Sequence, residues 1–110
     1  MISKDLKKSW YEKNMNKYKD TWFVYIVKCS DGSLYTGITK NIQKRISAHN
    51  NKKGAKYTRS RLPVLLVYQE KYDLKSDALR KELSIKQLTK TQKLILINTV
   101  VEWTNLSIHN

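Results

Sequence analysis

Cysteine, proline, glycine and acidic residues are all scarce in this chain of 110 residues, which has one Cys, one Pro, three Gly and nine Asp or Glu. The single Cys29 cannot form a disulfide within the chain, so a reducing, cytoplasmic setting is expected. Cys29 is expected as a small buried strand residue, because nothing near it in sequence would lower its pKa and make it a nucleophile. No apolar run reaches the roughly 18 residues that span a bilayer, and the opening MISKDLKKSW lacks the apolar stretch of a secretory signal. The length predicts one domain with one modest core.

Positive charge is abundant, since 22 Lys and Arg residues give a net charge of +13. Such a charge predicts attraction to polyanions and bears on partners, not on fold. Residues 40–61 hold basic residues without one carboxylate. A run like this is usually a solvated face, but its interleaving with Tyr57 and Thr58 favours contact with a phosphate backbone. An anionic membrane fits less well, because the run has no wide apolar face. The candidate nucleic-acid-binding residues are Lys40, Lys44, Lys52, Lys53, Lys56, Tyr57, Arg59 and Arg61.

The stretch from Trp22 to Asn50 has the pattern of a β-hairpin followed by a helix. Two runs rich in aromatic and β-branched residues predict two strands, joined at the turn signal Ser30-Asp31-Gly32. A two-residue turn would place Tyr25 and Tyr35 on opposite faces, whereas a three-residue loop would place them on one face, because strand side chains alternate. We expect the three-residue loop, since Gly32 lies where that loop needs a left-handed residue.

The helix after the hairpin is predicted to begin at Asn41, a favourable N-cap residue. On this helix Arg45 and His49 are four residues apart, so both project from one face. Residues 51–62 are expected to form a polar loop, which Gly54 makes flexible enough to fold around a nucleic-acid strand.

The second half of the chain predicts one more strand and two helices. Pro63 opens a nearly continuous apolar run, and a strand that is apolar on both faces requires helices on both sides of the sheet. We expect Leu65 and Val67 on one face of this strand, and Val64 and Leu66 on the other. Ser76 is predicted to cap the next helix, with Asp77 complementing the helix dipole. Thr89 and Gln92 form a capping box for the last helix, which is expected to bury Leu94, Ile95, Ile97 and Val101.

Five positions in order resemble one known family, the GIY-YIG nuclease superfamily: Tyr25, Tyr35-Thr36-Gly37, Arg45, His49 and Glu82. The likeness is greatest to its small stand-alone bacterial members, whose cores carry stretches similar to Gly54-Ala55-Lys56-Tyr57-Thr58 and Arg80-Lys81-Glu82. It covers about residues 22–97. In one departure, the first motif reads Phe23-Val24-Tyr25 and lacks its glycine. Asn98 is the only match for an asparagine that family members often carry near the end of the core, and its surroundings do not support it.

The resemblance implies a catalytic role for each of the five positions. Tyr35 would orient or deprotonate a water molecule, Tyr25 would position Tyr35 or the water, and His49 would hydrogen-bond a tyrosine or relay a proton. Glu82 would bind a metal ion, although its spacing alone favours an ion pair with Lys86 one turn later. Singly, each tyrosine is more often a half-buried strand aromatic, and His49 a helix residue that touches solvent.

The chemistry of phosphodiester hydrolysis suits these residue types. One carboxylate, with waters and substrate oxygens, can hold Mg²⁺ or Mn²⁺. Arg45 can make forked hydrogen bonds to the scissile phosphate. A tyrosine has an ordinary pKa near 10, so Arg45, a lysine or the metal would have to favour its phenolate at neutral pH.

The sequence thus predicts an α/β (α+β) fold with a small three-stranded, mostly antiparallel sheet flanked by helices. A nuclease-like domain over residues 22–98 would lie between an N-terminal helical extension (1–21) and a C-terminal extension (99–110). The expected function is a metal-dependent DNA endonuclease or exonuclease, selective for structure or strand rather than sequence, in DNA repair, recombination or processing. Single-stranded or branched DNA is the expected partner, RNA stays open, and no membrane or obligate protein partner is expected. The alternatives are a noncatalytic nucleic-acid-binding module of the same fold and, ranked last, a protein whose basic surface binds an acidic protein.

Overall fold

A computed structural model describes residues 20–109 of the chain, with side chains described through Thr99. The predicted N-terminal helical extension therefore lies almost wholly outside the described residues. The elements, in chain order, are β1 (Trp22–Lys28), β2 (Leu34–Thr39), α1 (Ile42–Asn50), the short α2 (Lys56–Arg59), β3 (Leu65–Tyr72), α3 (Lys75–Lys86) and α4 (Lys90–His109). The three strands form one antiparallel sheet in the order β2-β1-β3. The predicted fold class is confirmed. None of the helices described in residues 20–109 is long and apolar enough to cross a membrane.

The β1–β2 hairpin has the predicted three-residue loop. Lys28 pairs with Leu34, and the Cys29 N–H donates to the Ser33 carbonyl at 2.8 Å, which leaves residues 30–32 as the loop. Gly32 has a φ of +82°, the left-handed conformation that an L side chain rarely adopts. The odd-numbered loop places Tyr25 and Tyr35 on the same face of the sheet, as predicted, and their ring centroids are 6.4 Å apart.

Each face of the sheet is covered by its own apolar cluster. On one face, Val24 and Ile26 of β1 pack with Ala78 and Ile85 of α3 and with Ile97 of α4. On the opposite face, Tyr25, Val27, Cys29 and Val64 form a second cluster, against which Ile42 and Ile46 of α1 pack. Helices therefore flank both faces, as the apolar third strand predicted, and Cys29 is a buried free thiol.

A β-bulge in β3 changes the predicted pattern of that strand. Tyr68 and Leu66 pair with consecutive residues of β1, so Val67 between them has no partner. The bulge shifts the alternation of side chains, and Leu65 is left 65% exposed. The expectation that Leu65 packs against a helix is wrong. Val64, by contrast, is buried just before the strand.

The start of α3 is not capped as predicted. Its N-cap residue is Leu74, which makes no side-chain cap bond, and Ser76 is exposed within the first turn. Asp77 does lie in that first turn, where a carboxylate complements the positive end of the helix dipole.

The capping box at the start of α4 is confirmed. The Thr89 N–H donates to Gln92 Oε1 at 2.9 Å, and the Gln92 N–H donates to Thr89 Oγ1 at 3.2 Å. Ile97 is buried as predicted, but Leu94 and Ile95 are 41% and 60% exposed, so their predicted burial is wrong. The side chain of Val101 lies outside the described residues. The helix continues past residue 98, and the predicted domain division there stays a prediction.

Candidate active site

A chain of buried hydrogen bonds joins the hairpin to the helices that follow it. The Tyr25 hydroxyl lies 2.9 Å from His49 Nε2, and Arg45 Nε donates to the same hydroxyl at 3.3 Å. His49 Nδ1 lies 2.8 Å from Thr58 Oγ1. Tyr25 is 1% exposed, and His49 and Thr58 are fully buried. The predicted hydrogen bond between His49 and a tyrosine is therefore present, whereas the solvent-touching position considered for His49 is wrong.

The direction of each bond in this chain follows from its ends. Thr58 Oγ1 donates its proton to the Ala55 carbonyl at 3.0 Å, so it accepts from His49, and Nδ1 carries the imidazole proton. Nε2 is then unprotonated and accepts from the Tyr25 hydroxyl. That hydroxyl in turn accepts from Arg45, whose guanidinium can only donate. In this arrangement each donor in the chain has an acceptor.

Burial sets the charge of the two central groups. It lowers the pKa of His49, and the nearby Arg45 charge adds to this effect. Burial also raises the pKa of the Tyr25 phenol, outweighing the opposing influence of Arg45. At neutral pH the histidine and the tyrosine are therefore both uncharged, and Arg45 holds the one full charge of this group.

Local structure brings the two helical residues to the tyrosine. The Asn41 side chain accepts the Lys44 N–H at 3.0 Å, so Asn41 caps α1 as predicted. Arg45 and His49 then lie one turn apart on the helix and both contact Tyr25. The prediction that they share a face is confirmed.

Two glycines leave room for these side chains. Gly37 pairs with Tyr25 across the hairpin, and a Cβ at Gly37 would lie 2.7 Å from the Tyr25 hydroxyl oxygen. A Cβ at Gly54 would lie 2.3 Å from His49 Nδ1 and 2.8 Å from the His49 Cα. The expectation that Gly54 provides flexibility is wrong, because its hydrogen side chain permits close packing on His49. The predicted loop also contains the short helix α2.

Tyr35 lies between the buried chain and the surface. Its ring is edge-on to His49 at a centroid distance of 5.4 Å and stacks on Tyr57 at 6.2 Å with an interplanar angle of 19°. Hydrogen bonding to Tyr25 is the largest cause that raises the pKa of Arg45, and Tyr35 adds to it. Tyr35 is half-buried and Tyr57 is 41% exposed. Of the two predicted catalytic tyrosines, Tyr35 is therefore the one that a substrate can reach.

Glu82 lies on α3 with its side chain 18% exposed and paired to Lys86 at 3.2 Å. The ion pair that its spacing indicated is thus present. The charge of Glu82 also makes a small contribution to raising the pKa of Tyr25. Within residues 20–99, no group of three His, Cys, Asp or Glu side chains could hold a metal ion. One carboxylate still fits Mg²⁺ or Mn²⁺, because these ions keep several waters and bind substrate oxygens.

Basic residues surround the site on α1 and the segments beside it. A pocket of about 410 Å³ is lined by Lys40, Lys44 and Arg45, with Thr39, Asn41 and Ala48. Lys40 Nζ lies 2.9 Å from an Asp20 carboxylate oxygen and 5.3 Å from the centre of a Trp22 ring. The other predicted basic residues on the surface are exposed: Lys44, Lys52, Lys53, Lys56 and Arg59.

Arg61 is held more firmly than the rest of the predicted basic set. Its Nε bonds Asp31 at 3.1 Å, its Nη1 donates to the Tyr57 carbonyl at 2.7 Å, and its guanidinium lies 3.9 Å from the centre of the Tyr57 ring. These contacts tie the hairpin loop to α2. Arg61 therefore fixes the position of Tyr57.

Thr58 is a site residue whose role the sequence did not reveal. Its hydroxyl sets the tautomer of His49, although it lies nine positions away on α2. The only signal was its place in Gly54-Ala55-Lys56-Tyr57-Thr58, the stretch quoted for the family resemblance. Gly37 and Gly54 were likewise visible only as motif letters.

Comparison with known proteins identifies the family. A family model described as the GIY-YIG catalytic domain matches residues 21–94. The chain is 58% identical over 79 residues to a UPF0213 protein of Staphylococcus saprophyticus, which is 72% of this chain and 96% of that protein. The solution NMR structure of the protein EF2693 from E. faecalis is similar with a TM-score of 0.52 at 34% identity, over 76% of this chain and 91% of that one. The solution NMR structure of the UPF0213 protein BH0048 from Bacillus halodurans has a TM-score of 0.49 at 42% identity, over 72% of this chain and 84% of that one. Because the family model matches most of its length, the chain belongs to the GIY-YIG family.

Proposed function

We propose that this chain is a metal-dependent DNA nuclease that hydrolyses phosphodiester bonds. The observation that carries the proposal is the pairing of an accessible tyrosine with a buried one. Tyr35 is half-buried and its ring centroid lies 6.4 Å from that of Tyr25, which is 1% exposed and hydrogen-bonded to His49 and Arg45. A core that served packing alone would not need an accessible tyrosine beside the buried, hydrogen-bonded Tyr25.

The two tyrosines divide the work. Tyr25 is closed off from solvent and already donates its proton to His49, so it cannot contact a water molecule at the substrate. Tyr35 can orient an attacking water, and in its phenolate form it takes the proton of that water and becomes the neutral phenol. Arg45 in turn can bind the scissile phosphate through the guanidinium nitrogens that Tyr25 leaves free.

His49 and Thr58 act as positioning residues in this proposal. Neither can touch the substrate, because both are fully buried. Thr58 holds the imidazole of His49, and His49 holds the Tyr25 hydroxyl through a hydrogen bond. That hydroxyl in turn accepts a hydrogen bond from Arg45 Nε and so orients the guanidinium. Rigid support of this kind keeps the reacting groups within the narrow tolerance that efficient catalysis requires.

Glu82 is the residue that would hold the metal ion. When bound there, Mg²⁺ or Mn²⁺ would neutralise charge on the phosphate oxygens and on the leaving group. The carboxylate is partly exposed and its partner Lys86 is a flexible surface side chain, so the pair can separate at small cost.

The basic surface supports DNA as the substrate. Lysine and arginine side chains bind phosphates, and such contacts position a nucleic acid without reading its sequence. We therefore propose selectivity for strand or structure, as expected of nucleases in DNA repair, recombination or processing.

The test is cleavage of end-labelled single-stranded, duplex and forked DNA with Mg²⁺, Mn²⁺ or EDTA. We expect metal-dependent products from the native chain, and loss of cleavage in Glu82→Gln with retained DNA binding. Asp77→Asn is the matched control, because it removes a partly exposed carboxylate from the same helix and should cleave as the native chain does. Binding without cleavage of any substrate would overturn the nuclease proposal and favour the noncatalytic nucleic-acid-binding module.

A further inference from the structure

Tyr35 also lines a second basic pocket, which is separate from the one beside Arg45. It has a volume of about 300 Å³ and is lined by Leu34, Tyr35, Thr36, Tyr57, Lys86 and Lys93. Two of these are cations, on α3 and α4, and none is a carboxylate. Neither lysine belongs to the basic run at residues 40–61, so the charge of this pocket arises from the fold.

Tyr35 is the residue that connects this pocket to the rest of the site. It lines the pocket, and its ring centroid lies 6.4 Å from that of Tyr25, to which Arg45 of the first basic pocket donates a hydrogen bond. A nucleic-acid strand whose scissile phosphate lies at Arg45 and Tyr35 therefore has a cationic pocket for its neighbouring nucleotide. Phosphates repeat along a strand at short intervals, so consecutive phosphates can meet successive basic groups.

The walls of the pocket suit a nucleobase. The Tyr35 and Tyr57 rings stack nearly parallel at 6.2 Å, and the Arg61 guanidinium holds Tyr57 in place. Proteins that bind single strands combine such aromatic walls with a basic path along the backbone. In addition, the buried Thr36 hydroxyl has no hydrogen-bond partner within the described part of the chain. A polar group of a bound nucleotide would supply one.

We propose that this pocket, bounded by Tyr57, Lys86 and Lys93, binds one unpaired nucleotide next to the scissile phosphate. The inference rests on the proposed nuclease function and narrows its substrate class. A pocket of this volume is at the small end of ligand sites, so it takes one nucleotide and excludes a base pair. The strand is therefore single, or locally opened, where it is cut.

Lys86 links this pocket to the metal site. Its ammonium group is 3.2 Å from Glu82 and 49% of its side chain is exposed. Release of Lys86 from Glu82 on metal binding would free its charge for a phosphate. Lys93 is in no ion pair within residues 20–99, so it is the better lysine to test.

The experiment measures binding of a labelled single strand and of a duplex of equal length by fluorescence anisotropy in EDTA, which prevents cleavage. Lys93→Met should weaken binding of the single strand and lower its salt slope by about 0.7, the contribution of one phosphate contact. Tyr57→Ala should weaken it about tenfold, and Tyr57→Phe, which keeps the ring, should bind as the native chain does. In Lys93→Met and in Tyr57→Ala, duplex binding should change less than single-strand binding.

The control variant is Lys71→Met, which removes the charge of an exposed lysine on β3. This strand forms the edge of the sheet opposite to β2. It should affect the two DNA forms equally or not at all. Equal losses for single strand and duplex in Lys93→Met and Tyr57→Ala would overturn the inference, as would native affinity in both. Because these measurements need no cleavage, they can fail while the nuclease assay succeeds, and the reverse outcome is equally distinguishable.

Discussion

Replacing Thr58 by valine tests the buried hydrogen-bond chain directly. Valine keeps nearly the same shape but has no hydroxyl, so it removes the acceptor for His49 Nδ1 and the donor to the Ala55 carbonyl. The Ala55 carbonyl keeps a second bond from the Thr58 N–H at 3.2 Å. The main loss is therefore at His49.

The expected cost follows from burial. Thr58 and His49 are both 0% exposed, so the Nδ1 proton cannot find water when its acceptor is gone. A buried donor left unpaired costs about 1–3 kcal/mol, and we expect the free energy of unfolding to fall by about 2 kcal/mol. A change of tautomer does not remove the cost, because Nε2 would then donate to Tyr25 and leave the phenol proton without its acceptor.

Urea unfolding compares this variant with Thr58→Ser, which keeps the hydroxyl and loses one methyl group. Loss of a buried methyl costs roughly 1 kcal/mol, so the serine variant should be the more stable of the two. Cleavage should fall in the valine variant and persist in the serine variant, because only the hydroxyl orients His49. A valine variant at least as stable as the serine variant would refute the reasoning and show that position 58 matters for packing alone.

Three further predictions concern the same site. Burial lowers the pKa of His49, so below about pH 6.5 the unfolded chain binds a proton at this residue more readily than the folded chain does. The free energy of unfolding should therefore decrease as the pH falls. Urea titrations should show a weaker decrease in His49→Gln. Gly54→Ala should lower the free energy of unfolding by about 1–3 kcal/mol, because the added methyl overpacks against His49, and it should also reduce cleavage. In Gly32→Ala the added Cβ meets no atom within 4 Å, but it strains the turn. This variant should lose about 1 kcal/mol and cleave as the native chain does. Arg45→Lys keeps the charge but loses the Nε donor to Tyr25, so DNA affinity should stay within about threefold while single-turnover cleavage falls at least about tenfold; equal losses in both would contradict the proposed contact.

Features set by short-range sequence were predictable. The three-residue loop follows from one glycine at the left-handed position, and the caps at Asn41 and Thr89 follow from side chains that bond the backbone three residues away. Because the loop length fixes the register, the meeting of Tyr25 and Tyr35 on one face was predictable as well.

Features set by distant contacts were not. The bulge that exposes Leu65 depends on how β3 pairs with β1, and no pattern within the strand encodes that register shift. The role of Gly54 depends on the turn after α1, which brings Gly54 against the side chain and Cα of His49. Thr58 looked like one more polar residue in a basic segment, and its role appeared only when α2 brought it to the imidazole.

The most direct test of the account is the single-turnover cleavage rate of Tyr35→Phe, measured with the protein in excess over a labelled single-stranded or forked DNA and Mg²⁺ present. The change removes only the hydroxyl of the accessible tyrosine, so the stack on Tyr57 and the DNA affinity should persist. We predict a fall in rate of at least about 100-fold, the lower range for loss of a general base. A Tyr35→Phe variant that cuts DNA at the native rate would contradict the assignment of Tyr35 to the attacking water.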